Sequence, residues 1–360
     1  MPWQTVPIRQ FANHVAEWDA LQARSTRVPF LESAFLQPLI EVYGHDGLRL
    51  AFLPGRQGWQ AATLLQPVGT GRWQTFQPSQ LPLGPWLQEA GADGTAQGPG
   101  ANAVGLLQDL PGLALGLGLT QLDPRLCQRP ADEGPWQTLD YISTSWVEVG
   151  GSFDDYWAQR GKNLRQNTRK QLNKLQADGV QPRLDCVTDA AEVDAALAQY
   201  GALETAGWKS DTGTAIAADN DQGRFYAAML KRFCAQGRGR LYRYWFGDDV
   251  VAMDLCIDNG PLVVILKTAY DERHRSVSPS TLMRHEQFRQ WWQEGRYQRI
   301  EFYGKTMEWH TRWTDSHRML YHANAYRWTG LRRAHEWVKS LRSRPAAEPA
   351  AATTGTETAA

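Results

Sequence analysis

Ser278 and Pro279 mark the start of a predicted helix that could bind an anion. Ser is favoured at the N-cap and Pro at the first helical position, and the pair follows a predicted strand that ends at Tyr270. The first amides of a helix lack internal partners and carry a partial positive charge, so they can bind a pyrophosphate through backbone donors alone. Arg273 and Arg275 lie between strand and helix. A solvated turn with a good N-cap explains the same residues equally well.

Two charged residues lie inside apolar strands of the same region. In VVAMDLCID, alternation puts Asp254 on the opposite side from the large apolar side chains, and in LVVILKTAY, it puts Lys267 on the side of Val263 and Ile265. A charge in an apolar strand is costly to bury unless it is paired or used. A cross-strand ion pair between Asp254 and Lys267 and a role in the chemistry of a site are therefore both open.

Glu301 and Tyr303 are candidates for proton transfer. Alternation in YQRIEFYG places both side chains on one face of a third strand. A carboxylate and a phenol at this spacing could take a proton from an attacking amine and return one to a leaving thiolate. A hydrogen-bonded edge of the sheet is the alternative interpretation.

A basic helix precedes these strands. Leucines recur at helical spacing in NLRQNTRKQLNKLQADG, which leaves a broad cationic face. Arg165 and Arg169, four residues apart, could bind a phosphate or a carboxylate, although a solvated face is the commoner explanation.

Composition argues against several classes of function. The chain has 38 Lys and Arg and 38 Asp and Glu, so its formal charge of zero gives no general case for binding nucleic acid or an acidic surface. Four Cys residues are scattered without the spacing of a zinc or redox site, so we expect free thiols and no metal. The N-terminus lacks an export pattern and no apolar run is long enough for a membrane span, which predicts a cytoplasmic protein.

The chain divides into two parts near residue 146. The first part shows helix patterns, short strands and long Gly-rich connections. The second part follows the order helix, helix, strand, strand, strand, helix, strand, with tight turns at 247–249 and 259–261. This alternation predicts an α+β fold of α/β layers with a mixed sheet. Residues 344–360, rich in Ala, Thr, Pro and Glu, are expected to form a disordered tail.

Residues 153–318 resemble the acetyltransferase domain of the CelD-like branch of the GNAT superfamily, and more distantly the Fem-type aminoacyl transferases. The resemblance rests on four blocks in the family's order and spacing, namely NLRQNTRKQLNKLQADG, ETAGWKSDTGTAI, KTAYDERHRSVSP and FYGKTMEWHTRWT. In the first part, PLGPWL is similar to a segment of the family's degenerate N-terminal unit. The resemblance implies two GNAT-like halves, 1–146 and 147–343, each with a mixed, mostly antiparallel sheet flanked by helices.

For function, the resemblance implies an N-acyltransferase that takes an acetyl or other acyl group from coenzyme A, with no metal. The acceptor would be an amine, for example on an amino sugar or amino acid of a surface polymer, as in polysaccharide biosynthesis. The amine would attack the thioester directly, with Glu301 as base and Tyr303 as acid. The expected partner is thus a small molecule or a polymer precursor, and not DNA.

The resemblance also implies which residues form the site. The residues expected to bind the coenzyme are Arg273, Arg275, Ser278, Pro279, Ser280 and Thr281. Those expected near the acceptor are Glu204, Trp208 and Lys209. The helix and strand patterns described above add Arg165, Asp254 and Lys267 as further candidates for substrate binding.

Two departures from the family pattern bear on activity. The family usually has Gly at the position of Ser280 and Lys at the position of His310. A side chain at the first position could crowd the approach of phosphate to the backbone, and His would make the family's cation pH-dependent or absent. Two other interpretations stay open: a Fem-like transferase that uses aminoacyl-tRNA, and a non-catalytic GNAT-fold binding protein.

Overall fold

The computed structural model describes residues 1–25, 27–91, 94–206 and 216–342. Its strands are β1 Gln4–Pro7, β2 Arg49–Gly55, β3 Gly58–Gly69, β4 Arg72–Thr75, β5 Trp86–Gln88, β6 Gly116–Leu122, β7 Trp136–Glu148, β8 Pro182–Val187, β9 Gly239–Phe246, β10 Asp249–Asp258, β11 Leu262–Tyr270, β12 Arg299–Glu301 and β13 His317–Tyr326. Its α-helices are α1 Val15–Ala23, α2 Ser33–Tyr43, α3 Gly100–Asp109, α4 Phe153–Ala158, α5 Lys162–Ala177, α6 Val193–Ala206, α7 Asp221–Ala235, α8 Pro279–Glu294, α9 Glu308–Thr311 and α10 Thr329–Arg342. None of these helices is long and apolar enough to cross a lipid bilayer. The predicted tail at 344–360 lies outside the described residues.

Both predicted turns join neighbouring strands of the second half. Gly247 adopts a φ of +62° between β9 and β10, and Gly260 adopts a φ of +98° between β10 and β11. A positive φ strains residues that carry a Cβ but not glycine, so these two positions allow the tight reversals. The strand pairs are antiparallel, which confirms the predicted hairpins. The mixed sheet with its flanking helices confirms the α+β class.

The strand order is the same when it is followed from either edge of the sheet. From one edge it runs β1, β2, β3, β4, β6, and from the other it runs β8, β9, β10, β11, β12. Helices α1 and α2 follow β1 as α6 and α7 follow β8, and α3 precedes β6 as α8 precedes β12. The pairs β4 with β6 and β11 with β12 are parallel, as a helical crossover requires. The fold is thus two similar halves in one continuous sheet.

The two halves meet at a central antiparallel pair, β7 and β13. In the sheet, β13 lies beside β6 and β7 lies beside β12. The strand that follows β6 in sequence therefore pairs with the second half, and the strand that follows β12 pairs with the first half. The division predicted at residue 146 stays a prediction, and β7 spans it.

One hydrophobic core joins the halves on the side of the sheet that carries α1, α2, α6 and α7. Phe30 packs edge-on against Tyr303 with ring centroids 4.8 Å apart, and Phe35 of α2 packs against Phe225 of α7 at 5.1 Å. All four side chains belong to a single buried cluster. Alternate residues of β11 contribute to this shared core and to a second core beneath α4 and α8. The halves are therefore expected to unfold together.

Phe35→Ala tests this coupling. Phe35 is fully buried at the contact between α2 and α7, so its truncation should destabilise the protein by about 3–5 kcal/mol. Urea unfolding, followed by circular dichroism and tryptophan fluorescence, should still show one transition. Leu113→Ala, at a side chain that is 61% exposed, should change the free energy of unfolding by less than about 0.5 kcal/mol. Two separate transitions in the wild type would contradict a shared core.

Candidate active site

A wedge-shaped gap opens between β11 and β12. The two strands form three residue pairs, the last between Val264 and Glu301, after which β11 continues to Tyr270 while β12 ends. A cavity of about 360 Å³ lies in the gap. Thr268 and Tyr270 of β11 line one side of it, and Trp309, Arg312 and Trp313 of the chain after β12 line the other.

The start of α8 lies at the mouth of this wedge. Ser278 is the residue before the helix and Pro279 is its first residue, as predicted. Ser278 adopts a left-handed conformation with a φ of +48°, and its hydroxyl accepts a hydrogen bond from Gln171 of α5 at 3.3 Å. It makes no side-chain hydrogen bond to the first turn of α8. The first turn therefore has no side-chain cap that would compete with a bound anion.

A second cavity, of about 620 Å³, adjoins the wedge. Ser278, Thr281 and Arg312 line both cavities, and the far wall of the second comes from α5 through Asn167 and Gln171. The two cavities form one groove around the start of α8, which we call the α8 groove. It is large enough for an extended ligand whose anionic part lies at the helix start.

The structure separates the predicted coenzyme residues into two groups. Arg275, Ser278, Ser280 and Thr281 line the α8 groove, and Pro279 is buried at the helix start. Arg273 lies differently, because its guanidinium is bound by Asp271 at 2.6 Å and its side chain is 77% exposed. Arg312 also lines the groove, and no sequence pattern singled it out, although it lies within the block FYGKTMEWHTRWT.

Asp254 and Lys267 do not form the cross-strand ion pair that was one of the two open alternatives. Leu255 of β10 pairs with Lys267 and the next residue pairs with Ile265, so Leu266 is an extra residue in a β-bulge. The bulge reverses the side on which Lys267 lies. Its ammonium lies 3.4 Å from Glu204 of α6, on the face opposite α8, and no longer on the side of Ile265.

Asp254 is instead paired with Arg284 of α8. The Nη2 atom of Arg284 donates to Oδ1 of Asp254 at 3.1 Å and to the hydroxyl of Thr268 at 3.0 Å. Burial raises the pKa of Asp254, while the charge of Arg284 opposes this shift. Arg284 also lines the wedge, although it is only 2% exposed. The sequence did not indicate Arg284, because no local pattern shows which face of α8 meets β10.

Glu301 lies in a buried ion cluster on the face of the sheet opposite α8. Its carboxylate accepts from Arg318 at 3.0 Å and from Arg299 at 3.4 Å, and Arg318 also binds Asp123 at 2.6 Å. Burial raises the pKa of Glu301 to about 7, although Arg318 lowers it. A carboxyl group with this pKa can exchange protons near neutral pH, as a general base must. Glu301 does not line the α8 groove, so its catalytic role stays a prediction.

Tyr303 lies beside Glu301 but beyond the end of the predicted strand, because β12 ends at Glu301. It has a φ of +49°, which is unusual for a bulky residue, and its hydroxyl donates to Asp123 at 3.3 Å. Burial raises the pKa of Tyr303 well above that of a free tyrosine, so the phenol keeps its proton. Its role as an acid also stays a prediction.

Two of the other predicted substrate residues, Glu204 and Arg165, lie apart from each other. Glu204 is buried, accepts from the amide of Ile216 at 2.8 Å and is close to Lys267. Arg165 is exposed, and its guanidinium donates to the carbonyl of Arg160 at 3.1 Å. Trp208 and Lys209 lie outside the described residues.

His310, the second departure, is buried behind Trp309. Its Nδ1 atom accepts from the amide of Met307 at 2.9 Å. Burial and the positive charge of Arg284 lower the pKa of His310 to about 4, so the ring is neutral at neutral pH. The cation that the family has at this position is therefore absent here under those conditions.

Comparison with known proteins agrees with this geometry. Residues 162–311 match a family model described as an acetyltransferase (GNAT) domain. FemX has a similar fold, with 8% identity, a TM-score of 0.56, and coverage of 94% of this chain and 100% of that one. The C-terminal domain of a putative lysylphosphatidylglycerol synthetase from Agrobacterium fabrum has 11% identity and a TM-score of 0.53, covering 92% of this chain and 96% of that one. A conserved protein of unknown function from Bacteroides thetaiotaomicron has 10% identity and a TM-score of 0.55, covering 87% and 97%. No curated protein matches the sequence.

The fold and the family match define the class of this protein. It is an acyltransferase that carries a GNAT domain over 162–311, which confirms the predicted resemblance. The more distant likeness to Fem-type proteins is confirmed at the level of the fold.

The raised pKa of Glu301 predicts a pH-dependent stability. Between pH 4.5 and about 7, the folded carboxyl group holds a proton that the unfolded one releases, so the free energy of unfolding should fall as pH rises through this window. Glu301→Gln removes this titration and should flatten that part of the profile. Urea unfolding across the window measures it, with the exposed Glu17→Gln as control. A wild-type slope that persists in Glu301→Gln would show that another group titrates.

Proposed function

We propose that this protein is an acyl-CoA-dependent N-acyltransferase that moves an acetyl or other acyl group to an amine. The observation that carries the proposal is the wedge between β11 and β12, with the uncapped start of α8 at its mouth. Arg275 supplies positive charge beside that helix start, which suits a pyrophosphate, and Arg312, whose guanidinium is paired with Glu308 at 2.9 Å, lies across the groove. The rest of the coenzyme would extend along the wedge.

The proposed reaction is direct attack of the amine on the thioester. A thioester is already activated, so the protein must mainly orient an unprotonated amine about 3 Å from the carbonyl carbon. The bulge at Leu266 interrupts the pairing of β10 with β11 on one side of the wedge. A backbone group that lacks a strand partner there is suited to stabilise the oxyanion that forms. Glu301 would remove the proton of the amine, directly or through water, and Tyr303 would protonate the leaving thiolate.

The acceptor would approach from the face opposite α8. Four predicted residues lie on this side of the sheet, next to α6, α7 or the shared core: Glu301, Tyr303, Glu204 and Lys267. Donor and acceptor would then enter from opposite faces and meet where the strands separate. We propose an amine on an amino sugar or amino acid of a surface-polymer precursor, and a coenzyme A donor places the reaction in the cytoplasm.

A Fem-like transferase that uses aminoacyl-tRNA is the second candidate. Its supporting observation is the cationic face of α5, where Lys162, Arg165, Arg169 and Lys170 are exposed next to the α8 groove. A binding experiment with acetyl-CoA and with aminoacyl-tRNA separates the two proposals, because the α8 groove is proposed to bind a coenzyme and α5 would bind RNA phosphates. Absence of binding by either ligand would favour the non-catalytic interpretation.

Isothermal titration with acetyl-CoA tests the proposed donor. Wild type should bind, and Arg275→Ala should weaken binding by about tenfold, because it removes a charged hydrogen bond at the helix start. Arg273→Ala is the matched control, since Asp271 already binds that guanidinium, and it should leave the affinity unchanged. Failure of wild type to bind acetyl-CoA, with binding of aminoacyl-tRNA, would replace the first proposal by the second.

Glu301→Gln tests the proposed base. Its turnover should fall by about 100-fold or more while the affinity for acetyl-CoA stays the same, because the variant keeps the shape of the site but cannot accept a proton. Turnover is measured by mass spectrometry on a panel of amine acceptors, with Glu17→Gln as control. Equal turnover in the two variants would remove Glu301 from the mechanism.

A further inference from the structure

Arg284 presents an unused donor at the floor of the wedge. It lies five residues beyond Pro279 on α8, which is roughly 7.5 Å along the helix axis from the helix start. Its side chain is 3% exposed and lines the cavity between β11 and the chain after β12. The guanidinium carbon lies 5.6 Å from the ring centroids of both Phe302 and Trp309. The group is thus buried among aromatic rings deeper in the wedge than the proposed pyrophosphate site.

The two terminal nitrogens of this guanidinium differ in their hydrogen bonds. Nη2 is bound by Asp254 and by the hydroxyl of Thr268. Nη1 is buried and has no hydrogen-bond partner among the residues that the structure describes. A buried charged donor without a partner is unfavourable, and such atoms are rare in folded proteins. An oxygen atom of a ligand in the wedge would supply the missing acceptor.

We infer that Nη1 of Arg284 binds a carbonyl oxygen of the pantetheine and acyl arm of the donor. This inference rests on the proposed function, because it assumes that the donor is an acyl-CoA. The carboxylate of Asp254 lies 3.1 Å from Nη2, so the charge of the guanidinium is already balanced. A second buried anion would leave the site with excess negative charge, whereas a neutral carbonyl would not. The arm offers amide carbonyls and, when acylated, a thioester carbonyl.

The test compares three probes: 3′-phosphoadenosine 5′-diphosphate, which keeps the whole pyrophosphate, coenzyme A and acetyl-CoA. The first has no pantetheine arm, the second adds the arm, and the third adds the thioester. Arg284→Lys keeps a positive charge for Asp254 but has a single nitrogen, which that carboxylate would hold. Arg289→Lys is the matched control, because Arg289 is an exposed residue of the same helix outside the α8 groove.

Isothermal titration should show a loss confined to ligands that carry the arm. Arg284→Lys should bind 3′-phosphoadenosine 5′-diphosphate like wild type, and should bind acetyl-CoA at least about tenfold more weakly. An equal loss for coenzyme A and acetyl-CoA indicates an amide carbonyl, and a loss for acetyl-CoA alone indicates the thioester carbonyl. If thermal unfolding shows that Arg284→Lys is unstable, the double variant Asp254→Asn with Arg284→Gln, which removes both buried charges, is used in its place.

Three results would overturn the inference. Wild-type affinity of the Arg284 variants for coenzyme A and acetyl-CoA would show that Nη1 binds neither, while leaving the proposed function intact. Equal weakening of all three probes would show a general disturbance of the groove. Failure of wild type to bind any probe would remove the proposed function, and the inference with it.

Discussion

Arg318 links three segments of the chain beside the candidate active site. It lies on β13, and its guanidinium binds Asp123, which follows β6, and Glu301, which ends β12. Asp123 and Glu301 have no exposed carboxyl group, and the side chain of Arg318 is 9% exposed. Loss of Arg318 would leave the buried carboxylates of Asp123 and Glu301 without this partner, which costs about 3–5 kcal/mol. The ion cluster therefore fixes the position at which β12 ends, and the wedge begins there.

The exchange of β7 and β13 explains how one chain brings these residues together. Each of these strands follows one half in sequence and pairs with the other half in space. A residue of β13 can therefore reach both the segment after β6 and the end of β12. The shared core adds a second link, since Phe30 of the first half packs on Tyr303 of the second. Stability and the geometry of the site depend on the same interface.

The two halves have similar strand orders but differ at the positions that matter for an anionic ligand. Helix α3 holds in the first half the place that α8 holds in the second. The sequence around its start, QGPGANAV at 97–104, contains no Lys or Arg. The start of α8 has Arg275 on one side and Arg312 on the other. Positive charge at the crossover helix, and not the fold alone, therefore distinguishes the half proposed to bind the donor.

Local patterns in the sequence were sufficient for part of this description. The start of α8 at Pro279, the hairpins at Gly247 and Gly260 and the position of Tyr303 beside Glu301 each depend on residues adjacent in the chain. The strand exchange, the bulge that turns Lys267 toward Glu204, and the burial of Arg284 against Asp254 could not be predicted in this way. Caps, turns and alternation express backbone preferences over a few residues, whereas strand register, bulges and the pairing of buried charges are set by contacts between segments far apart in sequence.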